Sequence, residues 1–268
     1  MNLGAARVVL RVRTAADLLD LAAPFCLRNR AVTLPLAATL LLPAFAGCLL
    51  ARYVLAWRWA FVWLLAIGLG ALCEAAFTVA YSELMFLAPA AVRRGAILGR
   101  TLRRLPSFVV ARVVTTVIHA VAFCVFLLIL YTASICLVVP EVSLLEGAGP
   151  FAAIGRSARA VKGRGAAAFG VALAIALLPG AGVLAGELVG GTLVSMVLQL
   201  GEPFGNLFHG SGGTPYALAG FFVTVPLVAS ARFLTYIDLR TRKEGWDIQL
   251  RFMEMARGDG YPVEERAV

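Results

Sequence analysis

Long apolar runs alternate along the chain with short segments rich in arginine. About 20 apolar residues are needed for an α-helix to cross about 30 Å of hydrocarbon. Four such runs predict one span each: residues 31–50, residues 59–81, a run that begins near Ala166, and residues 216–236.

A longer apolar block, residues 107–145, is interrupted only by Arg112, His119 and Glu141. One straight helix of this length would measure about 60 Å, roughly twice the hydrocarbon thickness. Two short spans joined by a tight turn near residues 126–131 fit better. The pattern therefore predicts an all-α integral membrane protein with about six spans arranged as three hairpins.

The composition agrees with this prediction, since 61% of the residues are apolar and 15% are charged. Soluble domains have about 45–50% apolar and about 25% charged residues. A soluble globular fold is excluded by that excess of apolar surface, and a disordered chain is excluded because disorder requires low hydrophobicity.

The net charge of +9 comes from 24 Lys and Arg residues against 15 acids. Residues 91–112 and 147–165 are basic and contain no acid. Since Lys and Arg collect in cytoplasmic loops, both segments are predicted on the cytoplasmic side, together with both termini. Arg52 and Arg58 are then left outside.

Each pair of spans follows an amphipathic stretch that we expect to lie at the membrane surface. The stretches are residues 14–27, which open with the capping-box pattern Thr14-x-x-Asp17, residues 89–105 and residues 148–164. They suggest three pseudo-repeats, 1–83, 84–146 and 147–240, in one membrane domain. A charged cytoplasmic tail, 241–268, would follow.

Basic residues of the second and third stretches are candidates for binding anionic lipid headgroups, and the alternative is that they only fix the sidedness. Nucleic acid is not an expected partner, because no aromatic residues are interleaved with the basic ones. The candidate lipid-binding residues are Arg93, Arg100, Arg103, Arg104, Arg156, Arg159 and Lys162.

Three ionisable residues, Glu74, Arg112 and His119, fall inside adjacent predicted spans, where such groups are expensive and often functional. We expect them to meet inside the bundle. Glu74 is a candidate proton site, or alternatively a structural partner of Arg112 or a hydroxyl. His119 is either a packing residue or a group that titrates near neutral pH.

Glu141 and Glu146 are expected to pair with Arg156 and Arg159. In the C-terminal run, Asp238–Arg242, Arg240–Glu244 and Lys243–Asp247 have the i,i+4 spacing of helix ion pairs. The same charges offer a docking surface for a cytoplasmic protein.

Glycines and a proline mark the fifth span. Pro179-Gly180-Ala181-Gly182 is expected to break its helix, leaving residues 187–200 as an outer interfacial or re-entrant helix. Gly186-x-x-x-Gly190 is a spacing that permits close approach of another helix.

Two runs carry a family resemblance. One begins with Val139-Pro140-Glu141-Val142, runs through Glu146-Gly147, and continues with Ile154-Gly155-Arg156-Ser157 and Lys162-Gly163. The other is the closing run at residues 232–247, which begins Arg-Phe-Leu-x-Tyr-x-Asp and ends Glu-Gly-x-Asp. Together they resemble an uncharacterised family of polytopic bacterial membrane proteins. That family is related to the membrane domain fused to some glycerophosphoryl diester phosphodiesterases. The resemblance implies six helices and a bacterial inner-membrane location, but no enzymatic activity, because the catalytic domain is absent.

The sequence therefore favours a non-enzymatic scaffold, accessory or lipid-interacting module, with no metal or cofactor expected. The alternative is a small-solute or lipid transporter or channel that uses Glu74 and the broken helix at residues 179–182. A cavity lined by Glu74 and His119 would favour transport.

Overall fold

The computed structural model describes residues 14–124, 126–201, 203–209 and 212–244. These residues form nine α-helices and no β-strand. The helices are α1 (Ala15–Arg28), α2 (Arg30–Tyr53), α3 (Trp59–Leu84), α4 (Arg94–Phe123), α5 (Phe126–Ile135), α6 (Val139–Glu146), α7 (Pro150–Val161), α8 (Gly165–Thr192) and α9 (Pro215–Glu244).

Six segments of the described chain are long and apolar enough to cross a membrane, which confirms the predicted all-α membrane fold. In chain order, the first three spans are α2, α3 and α4. The fourth combines α5 with α6, the fifth is α8 with the turn after it, and the sixth is α9. Consecutive spans pack against one another as α2 on α3, α4 on α5, and α8 on α9. The three pseudo-repeats remain a prediction.

The third apolar block does cross twice, but its turn lies earlier than predicted. Helix α4 ends at Phe123 and α5 begins at Phe126, so residues 126–131 are helical. A separate break lies at residues 136–138, inside the fourth candidate span, where a turn separates α5 from α6. Pro140 stands at the start of α6, a position where its missing N–H costs no helical hydrogen bond.

The three amphipathic stretches differ in form. The first is α1, and Thr14 and Asp17 form the reciprocal capping box that the spacing predicts. The third is α7. The second is not a separate helix, because it continues through Pro106 into the span as the first half of α4.

The fifth span is not broken at Pro179-Gly182, so that prediction is wrong. Helix α8 runs from Gly165 to Thr192, and residues 187–200 continue it through a wider turn at Leu193–Val197. Prolines within spanning helices are tolerated where a neighbouring helix supports the backbone. Here the support is α9, which packs along the glycine face of α8.

The approach of α8 to α9 depends on glycine. A Cβ on Gly220 of α9 would collide with the carbonyl oxygen of Gly182, and one on Gly186 would collide with the backbone of Tyr216 and Gly220. A Cβ on Gly190 would likewise collide with the Tyr216 side chain. The predicted close contact through Gly186-x-x-x-Gly190 is confirmed and extends one turn further, to Gly182.

Helix α9 is the centre of the bundle, and α1, α2, α3, α6, α7 and α8 all contact it. Helix α1 docks on it through the Ser230 hydroxyl, which donates to the Ala22 carbonyl at 2.9 Å. The Phe25 ring packs edge-on against Tyr81 and parallel to Phe233. Burial raises the pKa of the neighbouring Cys26 thiol above its ordinary value, although a hydrogen bond with Tyr81 opposes the rise.

Candidate functional site

Arg232 of α9 lies inside the bundle with only 12% of its side chain exposed, and it contacts two carboxylates. Its guanidinium donates to both oxygens of Glu141, at 2.7 and 3.2 Å. A third bond, at 3.1 Å, goes to the carbonyl oxygen of Leu137. Hydrogen bonds between ionised partners are shorter and stronger than neutral ones, and a two-point contact also fixes orientation.

Glu74 of α3 completes the cluster. Its Oε1 lies 3.0 Å from Nε of Arg232, although the N–H on that nitrogen is directed at Glu141. Its Oε2 lies 3.5 Å from a guanidinium nitrogen of Arg112, whose side chain is one-third exposed. Two arginines and two glutamates from four different helices therefore form a buried ion-pair network with no net charge.

The break between α5 and α6 explains why the network forms where it does. The last carbonyls of a helix have no intrahelical partner and carry partial negative charge, whereas the first turn carries partial positive charge. Arg232 donates to Leu137 beyond the end of α5, and Glu141 lies in the first turn of α6. The positive charge of Arg232 thus lies at the negative C-terminal end of α5, and the negative charge of Glu141 lies at the positive N-terminal end of α6. The Ser157 hydroxyl of α7 donates to another freed carbonyl, that of Ile135.

The structure joins Glu74 and Arg112 directly, and it places His119 close enough to Arg112 and Arg232 for both guanidiniums to act on it electrostatically. His119 is half-buried and lies near the backbone of Thr132 on α5. Within the described chain no hydrogen bond or ion pair joins it to Glu74. Sequence reasoning missed Arg232, the main partner of Glu74, although it lies inside the predicted sixth span.

Glu141 also has a different partner from the expected one, since it binds Arg232 and not Arg156 or Arg159. The position of Glu141 within the span explains this, because Arg232 lies at the same depth in the bundle as Glu141. The expected pairing of Glu146 with Arg156 is confirmed at 2.5 Å. Glu146 also accepts a hydrogen bond from the Tyr236 hydroxyl at 2.9 Å, which in turn accepts one from Arg240 at 2.7 Å.

The C-terminal pair Asp238–Arg242 is confirmed at 2.6 Å. The Glu244 side chain and Asp247 lie outside what the structure describes, so the other two expected pairs are not tested. The same holds for the tail beyond Glu244.

The candidate lipid-binding residues fall into two groups. Arg100, Arg104 and Arg156 contact protein: Arg100 lies 2.8 Å from Glu83, Arg104 packs against Gly147, and Arg156 binds Glu146. The others are exposed, and no ion pair involves them among the described residues. They are Arg93, Arg103, Arg159 and Lys162.

Three cavities of the described chain lie away from Glu74 and His119. The largest, about 800 Å³, lies between α5, α7 and α8 and reaches Arg159 and Lys162. A second, about 230 Å³, contains the Glu146, Tyr236 and Arg240 cluster. The third, about 150 Å³, lies beside Glu187 at the other end of α8.

Glu187 organises the loop between α8 and α9. It is buried, accepts the Leu207 backbone N–H at 2.8 Å and accepts a short hydrogen bond from the Thr214 hydroxyl. The Thr214 hydroxyl also caps α9 by accepting the Ala217 N–H at 3.1 Å. This carboxylate therefore has a structural role, and the sequence indicated it only by a charge in an apolar run.

In the part of the chain that the structure describes, no group of three or more His, Cys, Asp or Glu residues is placed to hold a metal ion. Comparison with protein-family models, with curated proteins and with solved structures finds no match.

Proposed function

We propose that the chain is a non-enzymatic, multi-pass module of the bacterial cytoplasmic membrane that binds anionic lipid on its cytoplasmic face. The observation that carries the proposal is the set of exposed cations on or next to α4 and α7 that form no ion pair among the described residues, namely Arg93, Arg103, Arg159 and Lys162. Each such cation near an anionic membrane surface contributes about 1 kcal/mol to binding.

The burial pattern of α7 supports a helix that rests on the bundle and turns its charges outward. Ala153, Ser157 and Val161 are buried at four-residue spacing, whereas Arg156 and Arg159 are exposed. One apolar face and one basic face are typical of helices that lie in the plane of the membrane interface.

The buried network supports a structural role for the membrane interior. Glu74, Arg112, Glu141 and Arg232 balance one another in charge, and the carboxylates already have partners. Neither Glu74 nor Glu141 lines any of the three cavities described above.

The test compares reconstitution into phosphatidylcholine nanodiscs with and without phosphatidylglycerol, followed by identification of the lipids that remain after detergent extraction. We expect phosphatidylglycerol to be enriched, and the enrichment to fall when Arg93, Arg103, Arg159 and Lys162 are replaced together by Gln. Arg52→Gln with Arg58→Gln is the matched control on the opposite face. Equal retention of both lipids by the natural chain would contradict the proposal.

A second candidate function, transport of a lipid or small solute, is favoured by the break at residues 136–138. Discontinuous spanning helices beside charged groups are common at transport sites, and this break touches Arg232 and Glu141. Residues 179–182 no longer support a transport function, because α8 is continuous there. Proteoliposomes with fluorescent phosphatidylglycerol would show protein-dependent scrambling that Glu141→Gln abolishes if this function is correct.

A further inference from the structure

A groove on the side of the bundle has the size of a ligand site. It measures about 800 Å³ and lies between α5, α7 and α8. Ligand sites typically enclose about 300–1,000 Å³ and are mostly apolar with a few polar groups. The wall is formed largely by Leu130 and Ile135 of α5, Val161 of α7 and Phe169 of α8.

Small residues at the junction of α7 and α8 leave the space open. Ala158, Gly163, Gly165 and Ala166 all line the groove. Gly163 has a φ of +83°, a conformation that suits glycine and turns the chain from α7 into α8. The groove therefore follows from the turn itself and from the absence of large side chains beside it.

Hydrogen bonds fix the three walls relative to one another. The Ser134 hydroxyl of α5 donates to the Gly165 carbonyl of α8 at 3.0 Å, and the Ser157 hydroxyl of α7 donates to the Ile135 carbonyl of α5. These bonds join the walls to backbone atoms, so the groove is present before any ligand enters.

The charged groups of the groove are both cationic. Arg159 and Lys162 line it at the last turn of α7 and just beyond, both are exposed, and neither forms an ion pair within the described chain. An apolar groove with two cations at one end is complementary to a molecule that has an apolar chain and an anionic head.

We propose that this groove binds one anionic phospholipid, with an acyl chain against the apolar wall and the headgroup phosphate between Arg159 and Lys162. The inference rests on the proposed function and deepens it, because it assigns lipid binding to one site on the basic face. A phospholipid is the favoured occupant because α5 and α8 belong to candidate spans, so two of the three walls come from helices that are expected to contact lipid.

The test is a titration of phosphatidylglycerol into the purified full chain, with one-to-one adducts measured by native mass spectrometry. Arg159→Gln with Lys162→Gln should weaken the tightest adduct about thirtyfold, since each surface cation contributes roughly fivefold. Ala166→Trp, which fills the groove and keeps both charges, should also abolish it. Arg93→Gln with Arg103→Gln removes the same charge elsewhere on the basic face, and it should weaken the tightest adduct less than the pair in the groove does.

The outcomes separate the site from the general proposal. If both charge-removal pairs weaken the adduct equally, the basic face binds lipid but the groove does not. If Ala166→Trp binds as well as the natural chain, the cations act outside the groove, and the inference is also overturned. If phosphatidylglycerol and phosphatidylcholine bind alike, the proposed function itself fails.

Discussion

Arg232 and Glu141 form a two-point ion pair between α9 and α6, with N···O distances of 2.7 and 3.2 Å, directly beside the break that separates α5 from α6. The pair stabilises the break in two ways. The arginine also satisfies the Leu137 carbonyl at 3.1 Å, and the glutamate lies at the start of α6. The break and the pair therefore depend on each other.

Replacing Arg232 by Gln is expected to destabilise the protein strongly. Glu74 and Glu141 would stay buried without their cation, and removing one member of a buried ion pair typically costs about 3–5 kcal/mol. Thermal unfolding in detergent would measure the loss as a lower melting temperature.

Arg112→Gln provides the matched control for that experiment. Arg112 lies 3.5 Å from Glu74 and is one-third exposed, so its loss should cost at most about 1 kcal/mol. Equal melting temperatures for the two variants would show that Arg232 is not the centre of the network.

Gly220→Ala should separate α8 from α9. The new Cβ would meet the Gly182 carbonyl oxygen, which is backbone and has no freedom to rotate away, and overpacking of this kind costs about 1–3 kcal/mol.

Gly180→Ala on α8 is a suitable control, because nothing lies within 4 Å of the Cβ that it adds. Alanine also has a higher helix propensity by about 1 kcal/mol, so this variant should be as stable as the natural chain or more so. The helix contact would be wrongly assigned if both variants gained stability.

Glu187→Ala should loosen the loop between α8 and α9. The Leu207 N–H and the Thr214 hydroxyl would lose their shared acceptor, at about 1–3 kcal/mol for an unsatisfied buried group. Hydrogen exchange at the Leu207 amide should become faster, whereas Glu187→Gln, which keeps one carbonyl oxygen, should change it less. Unchanged exchange in the alanine variant would exclude this role.

The predicted sidedness is tested by cysteine labelling in a background without the five natural cysteines. Arg58→Cys, in the exposed turn before α3, should react with a membrane-impermeant maleimide in spheroplasts. Arg93→Cys, which precedes α4, should react only after the membrane is permeabilised. The reverse pattern would place the basic face outside.

Hydropathy was sufficient to predict the spans, because burial in lipid constrains each helix independently of its neighbours. The predicted span 59–81 ends within three positions of the end of α3, whereas the predicted span 216–236 begins one position inside α9 and ends eight positions before it does. The two boundaries that sequence reasoning misplaced, at Pro179 and at residues 126–131, depend on helix packing. Pro179 is harmless because α9 supports α8, and Ile135 ends a helix because Ser157 and Arg232 satisfy the carbonyls freed around it.

The candidate site was predicted in part for the same reason. Glu74 and Arg112 were paired because they fall in consecutive spans. Arg232 lies 158 positions from Glu74, at a separation that no local pattern encodes. The partner of Glu141 likewise depends on which helices share a depth in the bundle, and only the fold determines that.

The docking of α1 on α9 has a consequence for how the chain assembles. Ser230 and Ala22 are 208 positions apart, so the hydroxyl that holds the first helix is synthesised only when the last span emerges from the ribosome. Until then α1 has only part of its final binding surface, formed by Phe25 against Tyr81. This contact therefore forms only after α9 has been synthesised, and a chain truncated before α9 would leave α1 without its principal partner.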